Sequence, residues 1–240
     1  MTGGGKRAVL RSCLQRNDWV VEFGTYVAYG AMSLFLELEE LGVAHVLTVE
    51  NDATNAVCAR QVLSHAGVLD KVCVLQGWVD NWVPHLQAGG RGRLFILDHR
   101  GTRYHVALVT LESCGLLRVG DRVVADNVLS PGAPLFLAHL LARPHYHVRL
   151  RVLEEFLRLD LEDWVAVCVV QHHAAPEMTA APPDVFWLSW SSYVDDISWR
   201  SQEQEVDWKQ LQGFVKPAML ARLPGSWESA STTADGDDAK

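Results

Sequence analysis

The stretch LFILDHRGTRYH, residues 94–105, contains a short apolar run that ends abruptly in Asp98 and His99. In an open parallel sheet, ligands bind at the carboxyl ends of the strands, so a strand that ends in a carboxylate indicates a site. Six further runs rich in β-branched residues lie between residues 19 and 170, and amphipathic segments separate most of them. This alternation predicts an α/β fold with a mostly parallel, seven-stranded sheet and helices on both faces.

The last two runs, VRLRVLEE and WVAVCVV, have no helical segment between them, so we expect an antiparallel hairpin at one edge of the sheet. This domain would occupy residues 1–172. The predicted extension, residues 173–240, opens with a proline-rich linker and holds five of the nine tryptophans. A helix in it is expected to stop at Pro217, and the last dozen residues have the composition of a disordered tail. The extension is expected to pack on the domain or on a partner protein.

The bulk composition narrows the class of protein. A net charge of −8 argues against a nucleic-acid-binding protein, since such proteins need clustered Lys and Arg. No stretch contains the roughly 18 uninterrupted apolar residues of a membrane span, and the N-terminal segment is too polar for a secretory signal. The five cysteines include no CxxC pair, which argues against a disulfide framework and a structural zinc site. These features predict a cytoplasmic protein without membrane or nucleic-acid partners.

Polar residues follow several of the predicted strands. The first strand ends in Glu22 and Gly24, where glycine permits a tight turn before a helix whose free N–H groups can bind an anion. The second strand ends in Glu50, 26 residues after Gly24, and an acid at this spacing suits the two hydroxyls of a ribose. The alternative interpretation is a tight turn beside a solvated acid.

A second group of polar residues follows the fourth and fifth strands. The fourth ends in Asp98, and the fifth ends in Asp126 and Asn127. If these strands are neighbours, two carboxylates and one amide oxygen come close together, and hard oxygen ligands of this kind suit Mg²⁺. Alternatively, Asp126 and Asn127 only cap the loop that contains SPGAP.

Three segments, AGVLDKVCVLQG, ILDHRGTRY and LESCGLLRVGDRVVADNVLSPGAPLFLAHL, closely resemble the catechol O-methyltransferase family, and the similarity extends over residues 5–170. The resemblance implies a Rossmann-like class I methyltransferase fold, with S-adenosylmethionine and Mg²⁺ as cofactors and a small-molecule catechol or related phenol as the methyl acceptor. It also implies that the protein mainly aligns the acceptor oxygen behind an activated methyl group, while the metal orients and acidifies the two hydroxyls.

Matching the family position by position implies roles for individual residues. Asp98, Asp126 and Asn127 match the magnesium ligands, and Asn127 thereby also belongs to the catalytic set. Glu154 matches the catalytic carboxylate that hydrogen-bonds a catechol hydroxyl. The cofactor-binding positions implied in this way are Glu22, Gly24, Tyr26, Gly30, Glu50, Asn51, Gly77, Trp78, Asp98 and His99.

The sequence departs from the family pattern near these positions. Gly101 replaces the lysine that removes the proton from the attacking hydroxyl, so Gly101→Lys is expected to accelerate turnover if only this base is missing. His99 or His105 is an alternative base. Ala28 replaces a glycine of the cofactor turn, and Gly30 replaces a serine that would bind the cofactor carboxylate.

Two functional hypotheses stay open at this point. The chain is either an active methyltransferase for catechols or other phenols, or a catalytically impaired homologue that retains ligand binding or acts through its tryptophan-rich extension. The departures from the pattern favour the second hypothesis. Compared with the family, the chain starts late, so we expect the helices that cover the site to have no counterpart in it, which also favours the second hypothesis. The intact acids, Asp98, Asp126, Glu50 and Glu154, favour the first.

Overall fold

The computed structural model of the chain describes residues 4–16, 18–41, 46–86, 92–155, 158–172 and 183–227. The predicted linker lies largely, and the predicted disordered tail entirely, outside these ranges, so both stay predictions. None of the described helices is long and apolar enough to cross a lipid bilayer.

In the part of the chain that the structure describes, seven strands form one sheet at the centre of the fold. They are β1 (Asp18–Phe23), β2 (Val46–Glu50), β3 (Val72–Gln76), β4 (Gly92–Leu97), β5 (Arg122–Ala125), β6 (Tyr146–Glu155) and β7 (Arg158–Val170). Their order is β3-β2-β1-β4-β5-β7-β6, with parallel pairing from β3 through β5 and antiparallel pairing of β7 with both neighbours. The predicted mostly parallel sheet with an antiparallel edge hairpin is therefore confirmed.

Helices cover both faces of this sheet. They are α1 (Gly4–Cys13), α2 (Tyr29–Glu40), α3 (Ala53–His65), α4 (Val79–Trp82), α5 (Tyr104–Ser113), α6 (Pro134–Leu141), α7 (Val185–Arg200) and α8 (Trp208–Leu220). Helices α1 to α3 pack on one face, and α4 to α8 pack on the other. The central strands are buried on both sides, which explains why their sequences are continuous apolar runs rather than alternating ones.

The strand order reverses between β1 and β4. Strand β1 is followed in sequence by β2 on one side of it, whereas β4 pairs with β1 on the other side. The connection after β1 leads to β2 on one side, and the connection after β4 leads to β5 on the other side. The carboxyl ends of β1 and β4 therefore border the crevice in which open α/β sheets bind ligands.

Helix α1 is anchored at several points. Arg7 and Arg11 donate to the carboxylate of Glu37 in α2, at 2.7 and 2.6 Å. At the end of α1, the carbonyl of Cys13 accepts a hydrogen bond from Arg122 at 2.7 Å. This docking fixes the direction in which α1 presents its remaining side chains to the sheet.

The C-terminal extension packs on the sheet's second face through α7 and α8. Leu211, Val215 and Met219 are spaced four residues apart along α8, and all three are buried in the core shared with α5 and α6. Helix α8 runs through Pro217 to Leu220, so the expected stop at this proline is wrong. The buried stripe continues past Pro217, and its burial outweighs the cost of about 3 kcal/mol that a proline imposes on a helix.

Helix α7 also holds the loop that follows β4. The carboxylate of Asp195 accepts hydrogen bonds from Arg100 Nε at 2.8 Å and from Thr102 Oγ1 at 2.7 Å. The guanidinium of Arg100 lies 4.9 Å from the ring centre of Trp199, within the range of a cation–π contact. The extension thus binds the loop that contains Gly101, the position of the missing lysine.

Candidate active site

The turn after β1 requires a glycine at position 24. Gly24 has a φ of +101°, and a Cβ atom on it would lie 2.3 Å from the carbonyl oxygen of Asp98. Its backbone N–H donates to the carbonyl of Val49 in β2 at 2.9 Å. Glycine therefore lets the ends of β1, β2 and β4 approach one another at the point where the strand order reverses.

Backbone N–H groups hold the carboxylate of Glu50 in place at the end of β2. Its Oε2 accepts from Tyr26 at 2.8 Å, and its Oε1 accepts from Asp52 at 2.9 Å. Each oxygen has a second lone pair, so the carboxylate can also accept from two hydroxyls of a ligand. Gly77, after β3, donates its N–H to the carbonyl of Glu50 at 2.8 Å and thereby brings Trp78 to the same edge.

Two of the predicted cofactor-binding side chains are open aromatic rings beside this buried acid. Tyr26 and Trp78 are 68% and 58% exposed. Tyr26 has a φ of 49°, which is uncommon for a residue other than glycine and concentrates at functional sites. Asn51 follows Glu50 and is also exposed. Open rings next to a fixed carboxylate suit a nucleoside, whose base can stack and whose ribose can donate hydrogen bonds.

Glu22 lies within β1 and is buried. It accepts a hydrogen bond from Thr48 Oγ1 at 2.8 Å. Burial raises the pKa of Glu22 to about 8, and the neighbouring carboxylates of Asp98 and Glu50 also raise it. The side chain is therefore largely protonated at pH 7, and a bound cation beside it would favour its ionised form.

Helix α2 begins near this acid without a side-chain cap. Ala28 occupies the capping position with a φ of 69°, and Gly30 lies in the first turn. Uncapped N–H groups and the helix dipole together attract an anion such as a carboxylate. A ligand that carries both an ammonium and a carboxylate group therefore complements the ionised form of Glu22 and this helix end in charge.

Asp98 and Asp126 stand next to each other at the ends of β4 and β5. The register pairs Leu97 with Ala125, and the N–H of Asp126 donates to the carbonyl of Leu97 at 3.0 Å. Asp126 is buried, and burial together with the Asp126 carboxylate raises the pKa of Asp98. The structure thus brings together the two acids that the sequence predicts for one site.

Two further charged residues lie at this edge, Asp163 of β7 and Lys6 of α1, and neither was among the predicted site residues. The Nζ atom of Lys6 lies 3.0 Å from Asp126 Oδ1 and 2.9 Å from Asp163 Oδ2, and all three side chains are buried. Burial raises the pKa of Asp163, whereas Lys6 lowers it. We call Asp98, Asp126, Asp163 and Lys6 the acidic centre.

Two of the three predicted magnesium ligands contact other side chains of the protein. Asp126 pairs with Lys6, and Asn127 directs its side-chain amide nitrogen to Asp163 Oδ2 at 2.7 Å. Within the described ranges, no group of three or more His, Cys, Asp or Glu side chains could hold a metal ion. The oxygen donors have the right chemistry for Mg²⁺, but in this arrangement they fit an ammonium group instead.

Gly101, at the position of the missing lysine, has no room for a side chain. It begins a 3₁₀ turn (Gly101–Arg103), and a Cβ atom on it would lie 2.3 Å from the carbonyl oxygen of Gly132. Any substitution, lysine included, must displace this backbone. The contact argues against the expectation that Gly101→Lys simply restores a base.

The two histidines considered as alternative bases are poor proton acceptors. The ring of His99 lies 4.9 Å from that of Tyr104 and 6.1 Å from that of Phe23, centre to centre. Burial lowers the pKa of His99 to about 3, so the ring is neutral and weakly basic. Burial also lowers the pKa of His105.

Glu154, the predicted substrate-binding acid, lies on the edge strand β6. It is exposed and pairs in register with Glu162, whose carboxylate instead accepts from Trp164 Nε1 at 2.6 Å and binds Lys216. Because β6 runs parallel to β5, the carboxyl end of β6 lies at the same edge of the sheet as the acidic centre. The contact of Glu154 with a substrate hydroxyl stays a prediction.

No family model matches the chain. Catechol O-methyltransferase of Sus scrofa is 40% identical over 129 residues, which cover 52% of this chain and 68% of that protein. Catechol O-methyltransferase B of Danio rerio is 36% identical over 50% of this chain and 46% of its own length. The transmembrane O-methyltransferase homolog of Mus musculus is 35% identical over 55% of this chain and 52% of its own length. The match thus covers two thirds of the Sus scrofa protein and about half of the other two.

Solved structures of O-methyltransferases share the fold. TomG from Streptomyces achromogenes, in complex with S-adenosylmethionine, has a TM-score of 0.56 and 22% identity over 70% of this chain and 79% of its own. The O-methyltransferase from Bacillus cereus, in complex with SAH, has a TM-score of 0.57 and 17% identity over 71% of this chain and 83% of its own. These likenesses confirm the predicted Rossmann-like fold. The sequence identity to the Sus scrofa enzyme goes further: the chain belongs to the catechol O-methyltransferase family of S-adenosylmethionine-dependent enzymes.

Proposed function

We propose that this chain binds S-adenosylmethionine at the ends of β1, β2 and β3 and transfers its methyl group to a hydroxyl of a catechol or related phenol. The observation that carries the proposal is the carboxylate of Glu50, held by the N–H groups of Tyr26 and Asp52. An acid at the end of the second strand of such a sheet is placed to accept from ribose hydroxyls. Family membership and the names of the relatives support the methyl donor and the acceptor.

The groups along this edge match the parts of the cofactor in chemical character. Tyr26 and Trp78 offer exposed rings for the adenine, and Glu50 offers two acceptors for the ribose. Glu22 suits the ammonium group of the methionine portion, and the uncapped first turn of α2 suits its carboxylate. When bound, the cofactor supplies an activated methyl group on a sulfonium centre.

The residues of the chain would then mainly hold the acceptor in line with this methyl group. Strand β4 lies next to β1, so the acidic centre borders the proposed cofactor edge. Arg100, which Asp195 holds in place, carries a guanidinium group that can stabilise a phenolate. The loop after β4 supplies no strong base, because Gly101 lacks a side chain and His99 is weakly basic. General-base assistance contributes about 10²–10⁴-fold, so we expect slow turnover.

The expectations about the metal and the identity of the acceptor rest on the resemblance to the family. Dependence on Mg²⁺ stays a prediction, because Asp126, one of the implied ligands, is paired with Lys6. A catechol rather than another phenol as the acceptor, a cytoplasmic location and the absence of a nucleic-acid partner also stay predictions.

Glu50→Gln is expected to weaken the binding of S-adenosylmethionine by at least about tenfold, because hydrogen bonds to a charged acceptor contribute about 1.5–3 kcal/mol. Isothermal titration calorimetry measures the change. Asp70→Asn is the matched control, since Asp70 is exposed in the turn after α3 and should leave binding unchanged.

Methyl transfer is followed in parallel with labelled cofactor and a simple catechol. Labelled methyl catechol made by the wild-type protein supports the proposal, and binding without product would favour the impaired homologue. Equal affinity of the wild type and Glu50→Gln would overturn the proposed cofactor site.

The affinity for S-adenosylmethionine is expected to rise as the pH increases from 6 and to level off above about 8. The raised pKa of Glu22 means that the free protein holds a proton there at pH 7, and a bound ammonium group favours the ionised form, so binding releases that proton. Calorimetry in two buffers of different ionisation enthalpy counts the protons released. Glu22→Gln should flatten the profile, and Thr48→Val should move its midpoint to higher pH, because the Thr48 hydrogen bond lowers the pKa of Glu22.

A further inference from the structure

We propose that the ammonium group of Lys6 is a resident cation of the acidic centre, and that a divalent cation binds there only when Lys6 is displaced. Cation binding at the acidic centre can be measured whether or not the chain transfers methyl groups. A side chain of α1 would then supply the positive charge that the sequence pattern predicts for Mg²⁺.

The contacts of Lys6 are those of a cation between two carboxylates. Its Nζ atom lies 3.0 Å from Asp126 Oδ1 and 2.9 Å from Asp163 Oδ2. The exposed fractions of Lys6, Asp126 and Asp163 are 4%, 1% and 1%. Two buried carboxylates this close to one cation need its charge, since an uncompensated buried charge is strongly destabilising.

The position of Lys6 follows from the way α1 is docked. Arg7 and Arg11 lie about one helical turn apart on α1, and both bind Glu37 of α2. Gly5, the residue before Lys6, packs on the side chain of Leu153 in β6, where an added Cβ would meet it at 3.3 Å. These contacts on both sides direct the ammonium group to the end of the sheet.

The other polar groups around Asp163 are arranged for a carboxylate paired with an ammonium group. Asn127 donates its side-chain N–H to Asp163 Oδ2 at 2.7 Å, and the N–H of Ser130 donates to Oδ1 at 3.3 Å. A divalent cation prefers amide oxygens to amide N–H groups, so it would require Asn127 to turn over as well as Lys6 to leave. Both movements oppose metal binding.

The test is a titration of the full chain with Mn²⁺, which binds oxygen ligands as Mg²⁺ does and can be followed by electron paramagnetic resonance and calorimetry. Lys6→Met removes the charge and keeps an unbranched side chain of similar length. We expect Lys6→Met to bind Mn²⁺ at least about tenfold more tightly than the wild type. Lys71→Met, at a half-exposed lysine in the turn before β3, is the matched control and should behave as the wild type.

Equal Mn²⁺ affinity in the wild type and Lys6→Met, or weaker binding in the variant, overturns the proposal. If Lys6→Met does not fold, the double variant Lys6→Met with Asp163→Asn removes one charge of each sign and relieves the unpaired carboxylate. Asp98 and Asp126 remain in it, so tighter Mn²⁺ binding than in the wild type supports the proposal, and unchanged binding overturns it.

Discussion

Gly24→Ala is expected to lower the free energy of unfolding by about 2–5 kcal/mol. The added methyl group would lie 2.3 Å from the carbonyl oxygen of Asp98 and 2.5 Å from its carbonyl carbon, and neither backbone atom can rotate away as a side chain can. Overpacking of this kind typically costs about 1–3 kcal/mol. An L-residue at a φ of +101° adds about 1–2 kcal/mol of backbone strain. Urea unfolding followed by tryptophan fluorescence measures the loss.

Gly120→Ala separates the two contributions. Gly120 has a similar φ of +89°, but a Cβ atom on it would meet nothing within 4 Å. This control should therefore lose only the strain component, about 1–2 kcal/mol. Equal losses in the two variants would mean that the ends of β1 and β4 are not as close as the structure shows. The close contact between Gly24 and the Asp98 backbone beside the proposed ligand crevice would then be wrong.

The strands were predictable because their sequences are short β-branched runs ended by polar residues. The runs before Asp98 and Asp126 became β4 and β5, and their parallel register then placed the two acids side by side. Glu50 was predictable for the same reason, since it ends β2 at a suitable distance from Gly24. Patterns that depend on one strand and its end are local, so the sequence carries them directly.

Asp163 and Lys6 were not predictable by that rule. The rule searches the carboxyl ends of strands, but β7 is antiparallel, so its amino-terminal part lies at the same edge as the carboxyl ends of its neighbours. Asp163 directly precedes the apolar run WVAVCVV, so in an antiparallel hairpin it lies at the edge where β5 ends, and this position is the signal in the sequence that points to it. Lys6 comes from a helix whose docking depends on the pairing of Arg7 and Arg11 with Glu37, and no local pattern reports such long-range contacts.

The close packing around Gly101 also depends on residues that are far from it in the sequence. Gly132, whose carbonyl faces Gly101, lies under α7, where a Cβ atom on it would approach Val194 at 3.3 Å and Trp190 at 3.5 Å. Helix α7 also binds the loop itself, through the contacts of Asp195. The extension, which the sequence could assign to no surface, therefore packs behind Gly132, whose carbonyl occupies the space that a side chain at position 101 would use.

Gly101→Lys is accordingly expected to destabilise the protein by about 1–3 kcal/mol without accelerating methyl transfer. Its Cβ atom would lie 2.3 Å from the carbonyl oxygen of Gly132, and α7 opposes the retreat of that carbonyl. The clash is set by the Cβ atom rather than by the ammonium group, so Gly101→Ala should lose a similar amount. Urea unfolding and the labelled methyl-transfer assay measure the two effects.

Gly213→Ala serves as the control, because Gly213 lies inside α8 and a Cβ atom there would meet nothing within 4 Å. Alanine is better than glycine in a helix by about 0.5–1 kcal/mol, so this variant should be slightly more stable than the wild type. A Gly101→Lys variant that is as stable as the wild type and faster in methyl transfer would contradict the steric argument. The loop after β4 would then be able to move away from the Gly132 carbonyl. The missing lysine alone would account for the slow turnover that we expect.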